Sequence, residues 1–166
     1  MDRSRSMFVM SKRAPYSSTW AARLCLAVAL LGAGCVSVSS YDKDSVDRTT
    51  EISKSVLSFY QDLLATPPDE RKAAVNGSLG KRQGDIESEI RLHLLREQAR
   101  PMNDESVQIA TNLLASWQTF SKSHGEGDAT ALTDATLTSE RGLMERQLGS
   151  AFKAEEAKKI ATGAAK

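Results

Sequence analysis

The sequence predicts an all-α fold, an antiparallel four-helix bundle behind an N-terminal secretory segment, in a chain of 166 residues. Three observations carry that reading. Apolar residues recur at steps of three and four along four separate stretches, the spacing that lines one face of a helix. Pro67-Pro68, Pro101 and the Gly125-Glu126-Gly127 segment punctuate those stretches. No run alternates apolar and polar residues as a half-buried strand does. The length suits one domain, and 40% hydrophobic residues are enough for a packed core.

The first helix is expected from Asp42. Val46, Thr49, Ile52, Val56, Phe59 and Leu63 form its stripe, widened by Tyr60 and Leu64. Asp42, Asp44 and Asp47 occupy its first turns, where acids favour the positive helix end. Thr66-Pro67-Pro68 ends it near Ala65 and, with Thr66 as cap and Asp69 and Glu70 following, starts the next. The second helix is expected from about Asp69 to Ala99 on the stripe Val75, Leu79, Gln83, Ile86, Ile90 and Leu94, with Leu95 beside it. Gly77, Gly80 and Gly84 lie inside, each costing about 1 kcal/mol against Ala, so an irregularity is expected near Asn76-Gly77. Pro101 disfavours helix at Arg100. Asn103 is expected to cap the third helix, whose stripe is Val107, Ala110, Leu113, Leu114, Trp117 and Phe120. A break is expected over His124 to Asp128. The fourth helix follows with Leu137, Met144, Leu148, Ala151 and Phe152 and runs to about Ile160. Short breaks between four amphipathic segments argue antiparallel packing.

Ahead of the bundle, residues 1–23 hold five basic residues and one acid, followed by the uncharged run Leu24 to Gly34. A basic stretch, a short apolar run and small residues before a cut site make a secretory signal, and the run is too short to span a membrane. Leu31-Gly32-Ala33-Gly34-Cys35 resembles the lipobox of bacterial lipoproteins, with Gly32 where that family prefers Leu. The resemblance implies cleavage before Cys35, a lipid on its thiol and usually an acyl chain on the new N-terminus. Two or three chains anchor firmly, since each buried methylene contributes about 0.8 kcal/mol. Val36 is not the Asp that resembles an inner-membrane retention signal, so an outer-membrane, periplasm-facing position is expected in a Gram-negative source. The chain thus divides into a signal peptide (1–34), Cys35 and a tether (35–41), the bundle (42–162) and a short tail (163–166).

Cleavage changes the inventory. The whole chain carries +1, but residues 1–34 hold five of its 22 basic residues and one of its 21 acids, leaving −3 on the mature part. That balance argues against a nucleic-acid partner. Cys25 leaves with the signal and Cys35 carries lipid, so no thiol remains for a disulfide, a nucleophile or a zinc site.

Several short motifs carry a second resemblance. Tyr41-Asp42, Phe59-Tyr60, Pro68-x-Glu70, Arg100-Pro101-x-Asn103, Leu113-Leu114 before His124, and Glu155-x-Ala157-Lys158-Lys159 resemble a family of small bacterial lipoproteins that form helical bundles. The family has no known catalytic residues; the resemblance implies a fold and a location only.

Candidate chemistry is sparse. Glu89, His93 and Glu97, with Asp85 a turn earlier, have the spacing of ligands on one helix face, but no Glu-x-x-His partner lies on another helix. A solvated face is expected instead, with Glu87 pairing Arg91. Asp44, Asp47 and Glu51 are expected to be an acidic first turn rather than a cation site. No Gly-x-Ser-x-Gly elbow, phosphate loop or dinucleotide fingerprint occurs. Trp117 and Phe120 suit core packing better than a ligand pocket. The Glu155-to-Lys159 stretch is expected on a solvated last helix. Catalytic, cofactor and metal residues are therefore expected to be absent. The reading is a lipid-anchored, non-enzymatic interaction or structural module with an envelope protein as partner. A carrier of a small hydrophobic ligand and an envelope or metal-dependent enzyme are the alternatives.

Overall fold

The computed structural model describes residues 39–127 and 129–163; the expected signal segment, Cys35, residues 36–38 of the tether and the tail 164–166 lie outside them. The helices are α1 (Lys43–Ala65), α2 (Arg71–Asn76), α3 (Ser78–Ala99), α4 (Asp104–Glu126) and α5 (Asp134–Ala161), with a 3-10 turn at Ala129–Leu132 before α5. There is no strand among the described residues. The fold is an all-α bundle of four long helices.

Side-chain contacts set the helix directions. Ser45 meets Glu97 and Asp62 meets Arg82, so α1 and α3 run in opposite senses. Gln83 with His124 and Glu87 with Gln118 reverse α4 against α3. Ser116 with Gln147 and Asn103 with Lys158 reverse α5 against α4. Asp42 with Glu155 and Tyr60 with Glu140 close α5 back on α1. The α1 and α4 starts and the α3 and α5 ends therefore share one end of the bundle.

The stripes converge as their periodicity dictates. Ile52, Val56, Phe59, Tyr60, Leu63, Ile86, Ile90, Leu113, Trp117, Leu137, Met144 and Leu148 are all buried. Phe59 packs edge-on against Tyr60 and Trp117, with centroids 5.5 and 5.3 Å away. Such pairs contribute about 0.5–1.5 kcal/mol each beyond their buried area. Leu132, unmarked by periodicity, also enters the core from the 3-10 turn. Leu95 and Ile160 do not: they are 56% and 68% exposed.

The second expected helix is two. Gly77 leaves helical geometry (φ −113°, ψ −118°) and separates α2 from α3. A Cβ on Gly80 would lie 2.4 Å from the Val75 carbonyl oxygen, so glycine lets α3 start directly against the end of α2. Gly84 has open space around it. Gly80→Ala is therefore expected to lower the urea midpoint. Gly84→Ala is expected to raise stability by about 0.5–1 kcal/mol through helix propensity; equal effects of the two would contradict this packing.

The ends also depart from expectation. Thr66 does not cap α2; its hydroxyl donates to the Asp62 carbonyl and closes α1, and α2 begins after Glu70 without a side-chain cap. Asn103 holds the N-cap position of α4, but its side chain makes no capping bond. His124 and Gly125 lie within α4, which continues to Glu126. Asp42 does cap α1, accepting from the Asp44 amide at 2.9 Å.

Candidate functional site

Polar chemistry collects in two buried clusters. The larger lies at the end where α1 and α4 begin. Pro101 ends α3 by holding Arg100 extended (φ −87°, ψ 131°), which turns its guanidinium back over the helix end. Arg100 donates to Glu97 Oε2 at 2.8 Å, Glu155 Oε1 at 2.9 Å and Ser45 Oγ at 3.0 Å. Lys158, one turn beyond Glu155 on α5, donates to Glu155 Oε1 at 2.6 Å, to Ser106 Oγ at 2.7 Å and to Asn103 Oδ1. Asn103 donates its amide nitrogen to the Glu97 carbonyl and carboxylate, 2.9 and 2.6 Å away, and its Oδ1, the atom a cap would use, accepts from Lys158 instead. Ser45 donates to Glu97 Oε1. Glu97, Glu155, Lys158 and Asn103 are each 1–3% exposed.

The buried carboxylates Glu97 and Glu155 are balanced by Arg100 and Lys158, and the half-buried Asp42 adds an acid 3.9 Å from the Arg100 guanidinium. Burial alone would raise the Glu155 carboxyl; hydrogen bonds from Arg100 and Lys158 overcome it and hold the group below its ordinary value. Burial likewise works against the Arg100 charge, but Glu155 and Glu97 hold its pKa above the usual value.

The strand of chain entering the bundle is tied to this cluster. Ser39 N–H donates to the Met102 carbonyl at 3.0 Å, and the Ser40 carbonyl accepts from Arg100 at 2.6 Å. Asp42 N–H donates to Glu155 at 3.0 Å, and the Lys159 ammonium lies 5.9 Å from the Tyr41 ring centroid. The tether is thus part of the fold from Ser39 onward. Asp42, Arg100, Asn103, Glu155 and Lys158, which carry several of the short motifs, meet in this one cluster.

His93 lines a cavity of about 10 Å³ here, with Ser45, Thr49, Glu97, Ser106, Ala151 and Glu155. That is room for about one water. Its Nδ1 has no hydrogen-bond partner and sits 3.7 Å from Glu97 Oε1. Burial lowers the His93 pKa from its ordinary 6.5, against the pull of Glu97 and Glu155. Proton uptake therefore favours the unfolded chain, so this contribution is fully present above pH 6.5 and is lost as pH falls below it. Urea midpoints are expected to drop between pH 7.5 and 5.5, and to drop less in His93→Gln. An equal drop in both would remove His93 as the source.

The proposed ligand spacing is divided by the fold. Steps of four residues advance about 40° around a helix, so Glu89 stays exposed while His93 and Glu97 turn inward. Asp85 is exposed and pairs with Lys81 at 2.7 Å. The expected solvated face is corrected at His93 and Glu97, and kept at Glu87, which pairs with Arg91 at 2.8 Å. Gln118 and Arg91 hold the Glu87 carboxyl below its ordinary value through their hydrogen bonds. Asp44, Asp47 and Glu51 line an open surface groove with Arg48 and Arg96; Asp47 pairs with Lys43 and Glu51 with Arg48. No group of three or more metal-ligating side chains forms among the described residues. Glu155 and Lys158 correct the solvated reading of the last helix, since both are buried.

The smaller cluster joins α1, α3, α4 and α5. Gln83 Nε2 lies 3.2 Å from His124 Nδ1, and His124 Nε2 lies 2.6 Å from Glu140 Oε2. A proton on Nε2 satisfies both contacts: the amide donates to Nδ1 and Nε2–H donates to the carboxylate. The Tyr60 hydroxyl adds a longer bond to Glu140, and its pKa is raised by burial and by that carboxylate. Trp117 Nε1 donates to the Gln83 carbonyl at 3.1 Å. An acid–histidine pair of this kind activates nucleophiles when one is in reach. Here the imidazole is 0% exposed and is ringed by Phe59, Tyr60, Gln83 and Glu140, so the pair braces the core. Trp117 is likewise a core residue, and Phe120 is partly buried against the same core.

No family model, curated protein or solved structure matches the chain. No helix among the described residues is long and apolar enough to cross a membrane.

Proposed function

We propose that the protein is a lipid-anchored envelope module whose bundle serves as a rigid, non-enzymatic scaffold for an envelope protein partner. The observation that carries the reading is the joint between the tether and the fold. The lipobox-like Leu31-to-Cys35 segment ends four residues before Ser39, and Ser39 to Asp42 are fastened to a buried, charge-balanced cluster. A globule that only had to be near a membrane needs no such joint, because a loose linker suffices. Glu97 and the His124–Glu140 pair are hydrogen-bonded to other side chains inside the bundle, which supports a structural role for them.

The test is intact mass and membrane fractionation of the protein from its native host beside Cys35→Ser. The expected product begins at Cys35, carries lipid and sediments with membranes, and the variant loses both lipid and sedimentation. An unmodified soluble wild-type product would overturn the reading.

A further inference from the structure

Of the four exposed large apolar side chains among the described residues, Leu92 lies farther along α3 and the other three lie toward the end where the chain enters the bundle. Met102 is the turn between α3 and α4, Leu95 lies in the next-to-last turn of α3, and Ile160 lies in the last turn of α5; they are 57%, 56% and 68% exposed. Met102 also has a positive φ of 55°. That left-handed conformation costs a side-chain-bearing residue about 1–2 kcal/mol, and Gly adopts it freely. The chain places a methionine there and leaves most of it in solvent. The Met102 carbonyl accepts from Ser39, so this apolar turn is bonded to the incoming chain itself. Three residues separate Cys35 from Ser39, so the four steps between them reach about 14 Å when fully extended.

We propose that this end of the bundle rests on a phospholipid bilayer, with Met102, Leu95 and Ile160 entering the headgroup layer. The proposal rests on the lipid anchor at Cys35. An acyl chain there holds the Ser39–Met102 bond within one short reach of the surface, and the tied segment Ser39 to Asp42 keeps the bundle from turning another end toward the lipid. Asp44, Asp104 and Glu105 stand at the same end, in the first turns of α1 and α4. Lys43, Arg96 and Lys159 stand there as well. The end therefore presents mixed charge rather than a basic patch, so the contact is apolar and zwitterionic headgroups are its ligand.

The test uses the lipidated full chain in phosphatidylcholine vesicles. Because Cys35 carries the lipid, a Met102→Cys substitution supplies the one free thiol for an environment-sensitive fluorophore. Asp69→Cys, in the α1–α2 connection at the opposite end, is the control, and Ile160→Cys is a second probe at the proposed contact. Intact mass first establishes the lipid on each protein, and far-ultraviolet circular dichroism establishes the fold. Blue-shifted emission and at least threefold protection from iodide quenching are expected at 102 and 160 and not at 69. Lipidated, vesicle-bound protein with equal quenching at all three positions overturns the docking and leaves the anchor standing. Protein without lipid overturns the anchor, and the docking with it. Binding that appears only when anionic lipid is added overturns the apolar contact in favour of an electrostatic one.

Discussion

Lys158→Met is expected to destabilise the protein by about 3–5 kcal/mol, the range for removing one partner of a buried ion pair. Methionine keeps much of the stem volume but removes the ammonium that Glu155 Oε1, Ser106 Oγ and Asn103 Oδ1 share. The cluster then holds two carboxylates against the single Arg100 charge, at positions 1% and 3% exposed. Urea denaturation at pH 7 measures the loss. The double variant Lys158→Met, Glu155→Leu restores charge balance between Glu97 and Arg100, so it is expected to lose less than the two single losses combined. A Lys158→Met loss below about 1 kcal/mol would mean that water reaches the cluster, as at a surface pair.

Arg71→Met is the second large effect, about 3 kcal/mol. Arg71 is 2% exposed, although it stands in the first turn of the short α2. Its guanidinium donates to the carbonyls of Leu63 at 3.0 Å, Thr66 at 2.9 Å, Leu64 at 3.2 Å and Leu132 at 2.8 Å, and pairs with Asp134 at 2.6 Å. One side chain thereby covers the end of α1, where carbonyls have no helical partner, and pins the 3-10 turn beside it. Its removal leaves several buried acceptors unmatched at about 1–3 kcal/mol each, offset in part by water entry. Arg91→Met, which breaks an exposed i, i+4 pair, is expected to stay within about 0.5 kcal/mol. Comparable losses for the two arginines would refute the bracing role of Arg71.

Most of the bundle was legible from spacing. The stripe Thr49 to Leu63 is buried, and its counterparts on the other long helices are buried at their centres with Leu79, Leu94, Val107, Phe120 and Phe152 partly covered, because one apolar face of a helix has a single way to leave water. The chain breaks at Pro67-Pro68 and Pro101 were legible for the same local reason, since proline removes a donor and restricts its neighbour. What local signals misjudged were residues drawn to partners outside the helix they precede or belong to. Thr66 and Asn103 look like caps, and one closes the preceding helix while the other is drawn into the ion cluster. Glu155 and Lys158 read as a solvated ion pair at i, i+3. The pairing is correct, but Arg100, Asn103 and Ser106 surround it and make burial tolerable.

His124 makes the same point from the other side. Beside two glycines it reads as a loop residue, yet it completes α4 and bridges Gln83 to Glu140 in the core. No spacing within one segment announces a bridge between α3 and α5. The sequence by itself determined the four long amphipathic stretches, their apolar faces and the proline stops, because each depends on residues within a turn or two of one another. Only the tertiary structure decided which charged residues go inside, that the entering chain is fastened from Ser39 onward, and which apolar side chains remain outside. A charge is buried when partners from other helices match it, and that matching exists only once the helices have met.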